Sequence, residues 1–271
     1  MTAPPKELIL LLKTALLVIS MLSTPLYAIE DLQCLENKKN DSTEHSRVSD
    51  FSSLEGWGRH FSEAHSAQIV DDPLNQNNTA LRVTLREGDA YETRTGYHFR
   101  AEVYERYKAP FSEPMYYRFK VLIPDEWEFA DVRALVAQWH GTPDLHLGEI
   151  SRSPNLGIEL RNDRFLIRSQ TSDLAINKHN KQGMNRTQHF HSEPVQRNHW
   201  YTFEVQVKWT YQDSGYLRIS IDGEEVVNHQ GATSYHDCLG PYFKMGIYRD
   251  DTPNTFQIYV DDYLRALLSE R

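Results

Sequence analysis

The chain has 271 residues with 38 acidic and 29 basic side chains, and its formal net charge is −9. A net negative chain is unsuited to non-specific binding of nucleic acid, so we expect no nucleic-acid partner. The two cysteines have no Cys-x-x-Cys spacing, which argues against a cysteine-ligated zinc site.

The first 28 residues have the pattern of a secretory signal peptide. Lys6 and Lys13 accompany an apolar run over Leu8–Leu22, and Ala28 supplies a small residue at the expected cleavage site. An uncleaved anchor is the alternative, but the run after Lys13 is short for a membrane span, which needs about 20 apolar residues. We therefore predict cleavage after Ala28, a periplasmic or secreted protein, and no membrane association of the mature chain.

Residues 29–50 are polar and predict a loose lead-in, and residues 51–271 suit a single domain. Because exported proteins form disulfides readily, the two cysteines predict one disulfide, between Cys34 and Cys238. We expect the mature protein to be a monomer.

From Phe51 onward the sequence predicts many short strands with alternating apolar residues. Outside the three strands treated below, they are Ala80–Leu85, Met115–Ile123, Ile158–Leu160, Phe165–Ile167, Tyr201–Trp209, Leu217–Ile221 and Phe256–Val260. Arg161–Arg164 and Asp222-Gly223 are predicted hairpin turns. This spacing is typical of a β-sandwich or jelly roll.

Three segments interrupt this pattern. Short helices are predicted at Pro124–Ala130 and Tyr263–Leu268, and Thr171–Asn198 has little periodicity. A long loop in a compact domain is often a lid or binding loop, and the alternative is a solvated insertion.

Three further strands place an unusual set of polar residues on one face. Alternation along a strand puts Arg100, Glu102 and Tyr104 on one side of the first. It puts Gln138 and His140 together on the second. On the third it groups Tyr242, Lys244 and Tyr248. Such a set suits a surface that binds anions and transfers protons.

Together these strands resemble the signature strands of the jelly-roll polysaccharide lyases, which include glucuronan, heparin and alginate lyases. The matching segments are Arg100-Ala-Glu102, Gln138-Trp-His140 and Tyr242-Phe-Lys-Met-Gly-Ile-Tyr248. The resemblance implies an all-β jelly roll, a concanavalin A-like β-sandwich, with a concave substrate groove. Trp139 and the lack of a full Arg-Thr-Glu-x-Arg strand depart from the alginate pattern. Glucuronate polymers therefore rank first as substrate, heparin or heparan-type polymers second, and alginate third.

The resemblance implies β-elimination on an anionic, uronate-containing polysaccharide, with loss of the C5 proton and a 4,5-unsaturated product. Gln138 and Arg100 are suited to stabilising the charge that develops on the uronate carboxylate. His140 is suited to be the base, and Tyr248 to be the acid that protonates the leaving oxygen. In a syn elimination Tyr248 could do both. This chemistry requires no cofactor.

The remaining predicted site residues bind substrate or support the site. They are Lys244 for a neighbouring anionic group, Glu102 to orient Arg100, Tyr104 and Tyr242 as sugar platforms, and Arg94. By analogy with other jelly-roll carbohydrate proteins, Asp261 is a possible ligand of a structural Ca²⁺.

Each of these residues also has a purely structural interpretation, as a sheet histidine, a core-edge tyrosine, a cross-strand ion pair or a solvated lysine.

Two other functions compete with that of a lyase. A glycoside hydrolase on this fold needs two close carboxylates, and the sequence lacks Glu-x-Asp-x-x-Glu. A lectin-like binding module would use the tyrosines but would not need Gln138, His140 and Tyr248 together.

Overall fold

The computed structural model describes residues 44–172, 174–179 and 183–268, which form seventeen β-strands and one 3₁₀ turn. The strands are β1 (Arg47–Ser49), β2 (Gly58–His60), β3 (Ala67–Asp72), β4 (Asn75–Leu85), β5 (Tyr91–Thr93), β6 (Gly96–His98), β7 (Arg100–Tyr104), β8 (Pro114–Leu122), β9 (Ala134–Thr142), β10 (Leu156–Arg161), β11 (Arg164–Ser172), β12 (Met184–Pro194), β13 (Trp200–Lys208), β14 (Tyr216–Ile221), β15 (Glu224–Gln230), β16 (Leu239–Arg249) and β17 (Phe256–Leu267). The 3₁₀ turn is Leu145–Leu147.

The strands form two large antiparallel sheets and a small hairpin. One sheet has the order β15-β14-β13-β8-β17-β4-β3, with β1 added beside β17. The second has the order β12-β11-β10-β9-β16-β7-β2, and β5 pairs with β6 alone. The fold is therefore the predicted all-β sandwich. Within the described ranges, no helix is long and apolar enough to cross a membrane.

An aromatic cluster between the sheets forms the centre of the core. Trp139 and Phe243 from the seven-stranded sheet lie 4.9 Å apart, measured between ring centroids. Tyr117 and Phe119 from β8 pack against them at 5.3 Å each. All four are at most 1% exposed, and burying such a side chain stabilises the fold by about 1.5–3 kcal/mol. Because neighbours on a strand alternate, this inward set turns Gln138 outward.

Both predicted hairpin turns are present. Arg161 pairs with Arg164 across the β10–β11 turn, where Asn162 has φ 51°. At the β14–β15 turn Asp222 and Gly223 have φ 52° and 83°, as a two-residue hairpin that follows the strand twist requires.

The two predicted helices are wrong. Residues 124–130 make a turn in which Trp127 N donates to Pro124 O and the Trp127 ring stacks on Phe256 at 4.3 Å. The segment after Tyr263 continues β17, because alternate residues there pack against the core while the backbone pairs with β8 and β1.

The predicted long loop is also wrong at its beginning and over Met184–Pro194, where the structure forms strand. β11 continues to Ser172, and Met184–Pro194 forms β12. The prediction failed because β12 is an edge strand whose polar residues are mostly exposed, so no apolar alternation marks it.

The predicted signal peptide and most of the predicted lead-in lie outside the described residues. The last part of the lead-in contains β1 (Arg47–Ser49), which pairs with β17. Cys34 also lies outside them, so its disulfide with Cys238 stays a prediction.

A β-bulge in β16 depends on one glycine. The register with β9 shifts between Met245 and Tyr248, and Gly246 has φ 133°. A Cβ at Gly246 would lie 2.2 Å from the Ala101 carbonyl oxygen of β7. Only glycine combines this backbone angle with this close approach.

We expect Gly246→Ala to lower the free energy of unfolding by about 2–4 kcal/mol, through backbone strain and the forced separation of β7 from β16. Gly88→Ala is the control, because Gly88 also has positive φ but a methyl group added there would have no atom within 4 Å. The control should lose about 1–2 kcal/mol. Equal losses in urea denaturation would contradict the assignment of the close contact.

Candidate active site

The three strands with the unusual polar faces lie side by side in the seven-stranded sheet. β16 has β9 on one side and β7 on the other. Their registers set three pairs of predicted site residues next to each other: Lys244 with Gln138, Tyr242 with His140, and Tyr248 with Arg100.

A groove of about 1030 Å³ crosses the outer face of this sheet. Seven of the nine predicted catalytic and substrate-binding residues line it: Arg94, Arg100, Gln138, His140, Tyr242, Lys244 and Tyr248. The other two, Glu102 and Tyr104, lie beneath and beside this lining. Asp261 lies elsewhere, on the eight-stranded sheet.

Glu102 is the buried centre of the site. It is 2% exposed, and Gln138 Nε2 donates a short hydrogen bond to its Oε1. Arg100 Nη1 lies 3.7 Å from its Oε2. The carboxylate therefore holds the amide by a hydrogen bond and the guanidinium by charge alone, which agrees with a supporting rather than a proton-transferring position. The Gln138 amide keeps a second N–H donor.

His140 has one ring nitrogen engaged by the backbone. Its Nδ1 lies 2.8 Å from Gly141 O, so the proton occupies Nδ1 and Nε2 is left as an acceptor. Burial, and then the positive charges of Lys244 and Arg100, hold the pKa of His140 well below its usual value, against the opposing effect of the Gly141 bond. A neutral imidazole with a free Nε2 is the form that a general base requires.

Two guanidinium groups lie against the Tyr248 ring. Arg100 Cζ is 4.1 Å and Arg133 Cζ is 4.6 Å from its ring centroid. Asp250 holds Arg133 in turn, with Arg133 Nη2 donating to Asp250 Oδ1 at 2.6 Å. The Tyr248 hydroxyl lies 3.4 Å from His98 Nδ1.

The sequence reasoning missed Arg133 and His98. His98 is two residues before Arg100, so alternation along an extended chain would put both side chains on the same face, and this spacing could have identified it. Arg133 is five residues before Gln138, so the same alternation would put it on the opposite face. It reaches the groove because it precedes the start of β9 and does not follow the alternation of that strand.

Lys244 and Tyr242 form the next part of the groove wall. Burial lowers the pKa of Lys244 to about 8, with Arg100 adding to the decrease and Glu102 opposing it. Burial also raises the pKa of Tyr242, whose ring has Lys108 Nζ at 3.4 Å and Lys244 Nζ at 5.2 Å from its centroid. Tyr242 is therefore a neutral, cation-flanked platform.

Tyr104 is not a free platform. It stacks on His60 with ring centroids 4.4 Å apart, and it covers Gly58, where a Cβ would lie 2.2 Å from the Tyr104 ring. His60, also missed, lines the groove, and burial followed by Lys244 and Arg100 lowers its pKa to about 3.

The groove is positively charged although the chain is acidic. Its lining includes one carboxylate, Glu159, and seven basic side chains: Arg94, Arg100, Arg133, Arg152, Arg168, Arg186 and Lys244. A groove that concentrates one sign of charge attracts the opposite sign. The site therefore suits a long anionic ligand.

A family model for polysaccharide lyases matches residues 38–263. The chain belongs to the polysaccharide lyase family. This membership makes it an enzyme and decides against the lectin-like module and the glycoside hydrolase. No curated protein matches the sequence.

Solved lyase structures share its fold. An endo-β-1,4-glucuronan lyase from the fungus Trichoderma reesei superposes with a TM-score of 0.67 at 20% identity, over 84% of this chain and 96% of that one. Alginate lyase vAL-1 from Chlorella virus gives 0.54 at 8% identity, over 82% and 99%. Alginate lyase AlyC3 in complex with dimannuronate gives 0.50 at 17%, over 71% and 76%. At these identities the similarity establishes the fold alone.

The pKa of Lys244 predicts a pH dependence of substrate binding by this lyase. The amine is charged below about pH 8 and neutral above it. As the pH rises through about 8, the KM for an anionic polysaccharide should rise by about tenfold, because a charge-assisted contact is lost. Lys244→Arg should remove the rise, since a guanidinium stays protonated. An identical KM profile in both proteins would show that another group causes it.

Proposed function

We propose that this lyase cleaves a uronate-containing polysaccharide by β-elimination, with glucuronate polymers first in rank, heparin or heparan-type polymers second and alginate third. The observation that carries the proposal is the Glu102-fixed pair of Gln138 and Arg100, next to His140 and Tyr248 in one cationic groove. The T. reesei neighbour, which acts on glucuronan by its name, supports the ranking.

The first requirement of the reaction is to make the C5 proton acidic. That proton is α to a carboxylate, and its removal places more negative charge on the carboxylate oxygens. Preorganised donors aimed at that charge lower the barrier. The free Gln138 N–H and the Arg100 guanidinium supply such donors, and Glu102 holds both in place before substrate arrives.

The second requirement is a base and an acid on the same groove. We assign the base to His140 Nε2, which has no hydrogen-bond partner among the described residues and belongs to a neutral ring. We assign the acid to the Tyr248 hydroxyl, which protonates the glycosidic oxygen as the C4–O bond breaks. The negative charge that would be left on the phenol lies close to Arg100 and Arg133, whose Cζ atoms are 4.1 Å and 4.6 Å from the ring centroid. In a syn elimination Tyr248 would act as both base and acid, with His140 supporting it.

Removing either group should stop the reaction without unfolding the protein. We expect His140→Ala and Tyr248→Phe each to lower kcat by about 10²–10⁴-fold with little change in the melting temperature. The assay is the ultraviolet absorbance of the 4,5-unsaturated product, measured with glucuronan, heparan sulfate, heparin, hyaluronate and alginate in turn.

Tyr259→Phe is the matched control, because Tyr259 lies on the eight-stranded sheet and outside the groove lining. It should keep full activity. Undiminished turnover in both active-site variants would refute the assigned roles. New reducing ends without the absorbing double bond would refute elimination itself.

We further propose a structural Ca²⁺ at Asp261, outside the groove. Asp261 Oδ1 is buried without a hydrogen-bond partner among the described residues. Asn78 lies between Asp261 and Asp72, with Nδ2 at 2.8 Å and 3.5 Å from their Oδ2 atoms. Oxygen ligands of this kind suit Ca²⁺. The described residues hold no group of three His, Cys, Asp or Glu side chains for a metal, so backbone carbonyl groups or water would complete the shell.

Calcium binding there should raise the melting temperature of the wild-type protein. An excess of Ca²⁺ at about 100 times its Kd would add about 2.7 kcal/mol of stability, and EGTA would remove it. Asp261→Asn should abolish the response and leave the β-elimination rate unchanged. A response of equal size in Asp261→Asn would place the ion elsewhere.

The protein is further proposed to act as a monomer in the periplasm or outside the cell, after cleavage following Ala28. The mass of the exported protein tests the cleavage site directly.

A further inference from the structure

A single row of residues crosses the groove from one edge of the seven-stranded sheet to the other. The strand registers place its members directly beside each other, in the order Gly58, Tyr104, Lys244, Gln138, Gly157, Arg168 and Gln188. The row runs at right angles to the strands. It connects the site around Gln138 with the far wall formed by β11 and β12.

The middle of this row has no polar side chain. Gly157 of β10 separates Gln138 from Arg168, and a Cβ there would lie 2.6 Å from Leu135 Cδ2. The apolar Leu135 side chain, which lines the groove, therefore covers the floor at Gly157. Arg168 is two strands away from Gln138, which is roughly 9.5 Å between backbones.

Arg168 is held by three hydrogen bonds on the far side of Gly157. Its Nη1 donates to Glu159 Oε2 at 3.0 Å, and its Nε and Nη2 donate to Gln188 Oε1 at 3.3 Å and 3.1 Å. A guanidinium has five N–H donors, so one remains on each terminal nitrogen without an acceptor in the described part of the chain. The side chain is 34% exposed to the groove. It is thus a fixed, partly open fork of the kind that binds carboxylates.

We propose that Arg168 is a specificity-determining residue that binds the carboxylate of a second uronate, two sugars from the one held at Gln138. The inference rests on the proposed function. In a flat 1,4-linked chain successive sugars face opposite ways, so alternate carboxylates project from the same edge. Each sugar advances by about one strand spacing, roughly 4.8 Å. Two sugars therefore span the distance from Gln138 across Gly157 to Arg168.

This assignment makes chain length a determinant of turnover. An oligosaccharide that reaches two sugars past the cleaved uronate gains the Arg168 contact, and a shorter one does not. The gain should appear in KM, because the contact is the same before and during proton removal.

The test compares size-fractionated oligosaccharides of three to six sugars, prepared from glucuronan, or from alginate if that is the polymer the wild-type protein cleaves. The wild-type protein should show a step of about ten- to a hundredfold in kcat/KM at the length that reaches Arg168. Arg168→Met should lose the step through a higher KM for the longer substrates, and it should retain the wild-type rate on the shortest. Arg168→Lys should recover part of it.

Two further variants keep the result interpretable. Arg168→Met leaves the buried Glu159 carboxylate without its partner, so the double variant Glu159→Gln/Arg168→Met tests the subsite with that charge removed. Arg161→Met is the control, because Arg161 is an exposed arginine at the end of β10 that pairs with Asp131 and lies outside the groove lining. It should keep the step.

The outcomes separate the two proposals. A step that persists in an active, folded Arg168→Met protein overturns the second-carboxylate subsite and leaves the proposed function intact. A folded wild-type protein that produces no unsaturated ends from any uronate polymer overturns the proposed function, and the subsite with it.

Discussion

The site depends on one buried carboxylate. Glu102 is nearly inaccessible to solvent, and removing a charge from water is costly unless partners compensate. Those partners are Gln138 and Arg100, together with the nearby charge of Lys244. Because the amide and the cations surround the same buried carboxylate, they form one unit with it. That unit joins three strands beneath the groove, at the point where the proposed reaction takes place.

The sandwich makes this unit possible by separating its two faces. Trp139 and Phe243 fix β9 and β16 against the opposite sheet, and strand alternation then directs Gln138 and Lys244 outward. The bulge at Gly246 changes the register of β16 against β9, while the pairing of β16 with β7 stays continuous. The apolar core thus holds the strands in place, and the alternation of side chains along each strand directs the polar residues to the groove. Catalytic groups on strands keep their mutual distances better than groups on mobile loops.

Much of this arrangement could be predicted from the sequence, because period-two alternation determines which side chains share a face. Gln138 with His140, and Tyr242 with Lys244, follow from that rule alone. The positions of Arg133 and His60 do not follow from it. His60 lines the groove because β2 pairs with β7, and Arg133 lines it because it immediately precedes β9. Only the fold specifies these two arrangements. The strand at Met184–Pro194 was missed because an exposed edge strand needs no apolar face. The segment after Tyr263 was mistaken for a helix because its pairing with distant strands, and not its local pattern, decides its conformation.

The charge of the groove links binding to proton transfer. The cations that attract a polyanion are also those that keep His140 unprotonated, since Lys244 and Arg100 both lower its pKa. A bound uronate carboxylate would offset those charges at close range, and the pKa of His140 would then rise. The imidazole is therefore free to accept a proton when the groove is empty, and its protonated form becomes more stable once substrate is present. In the proposed mechanism the base would therefore gain strength only when there is a C5 proton to remove, so a fixed set of cations would serve both recognition and the timing of the elimination.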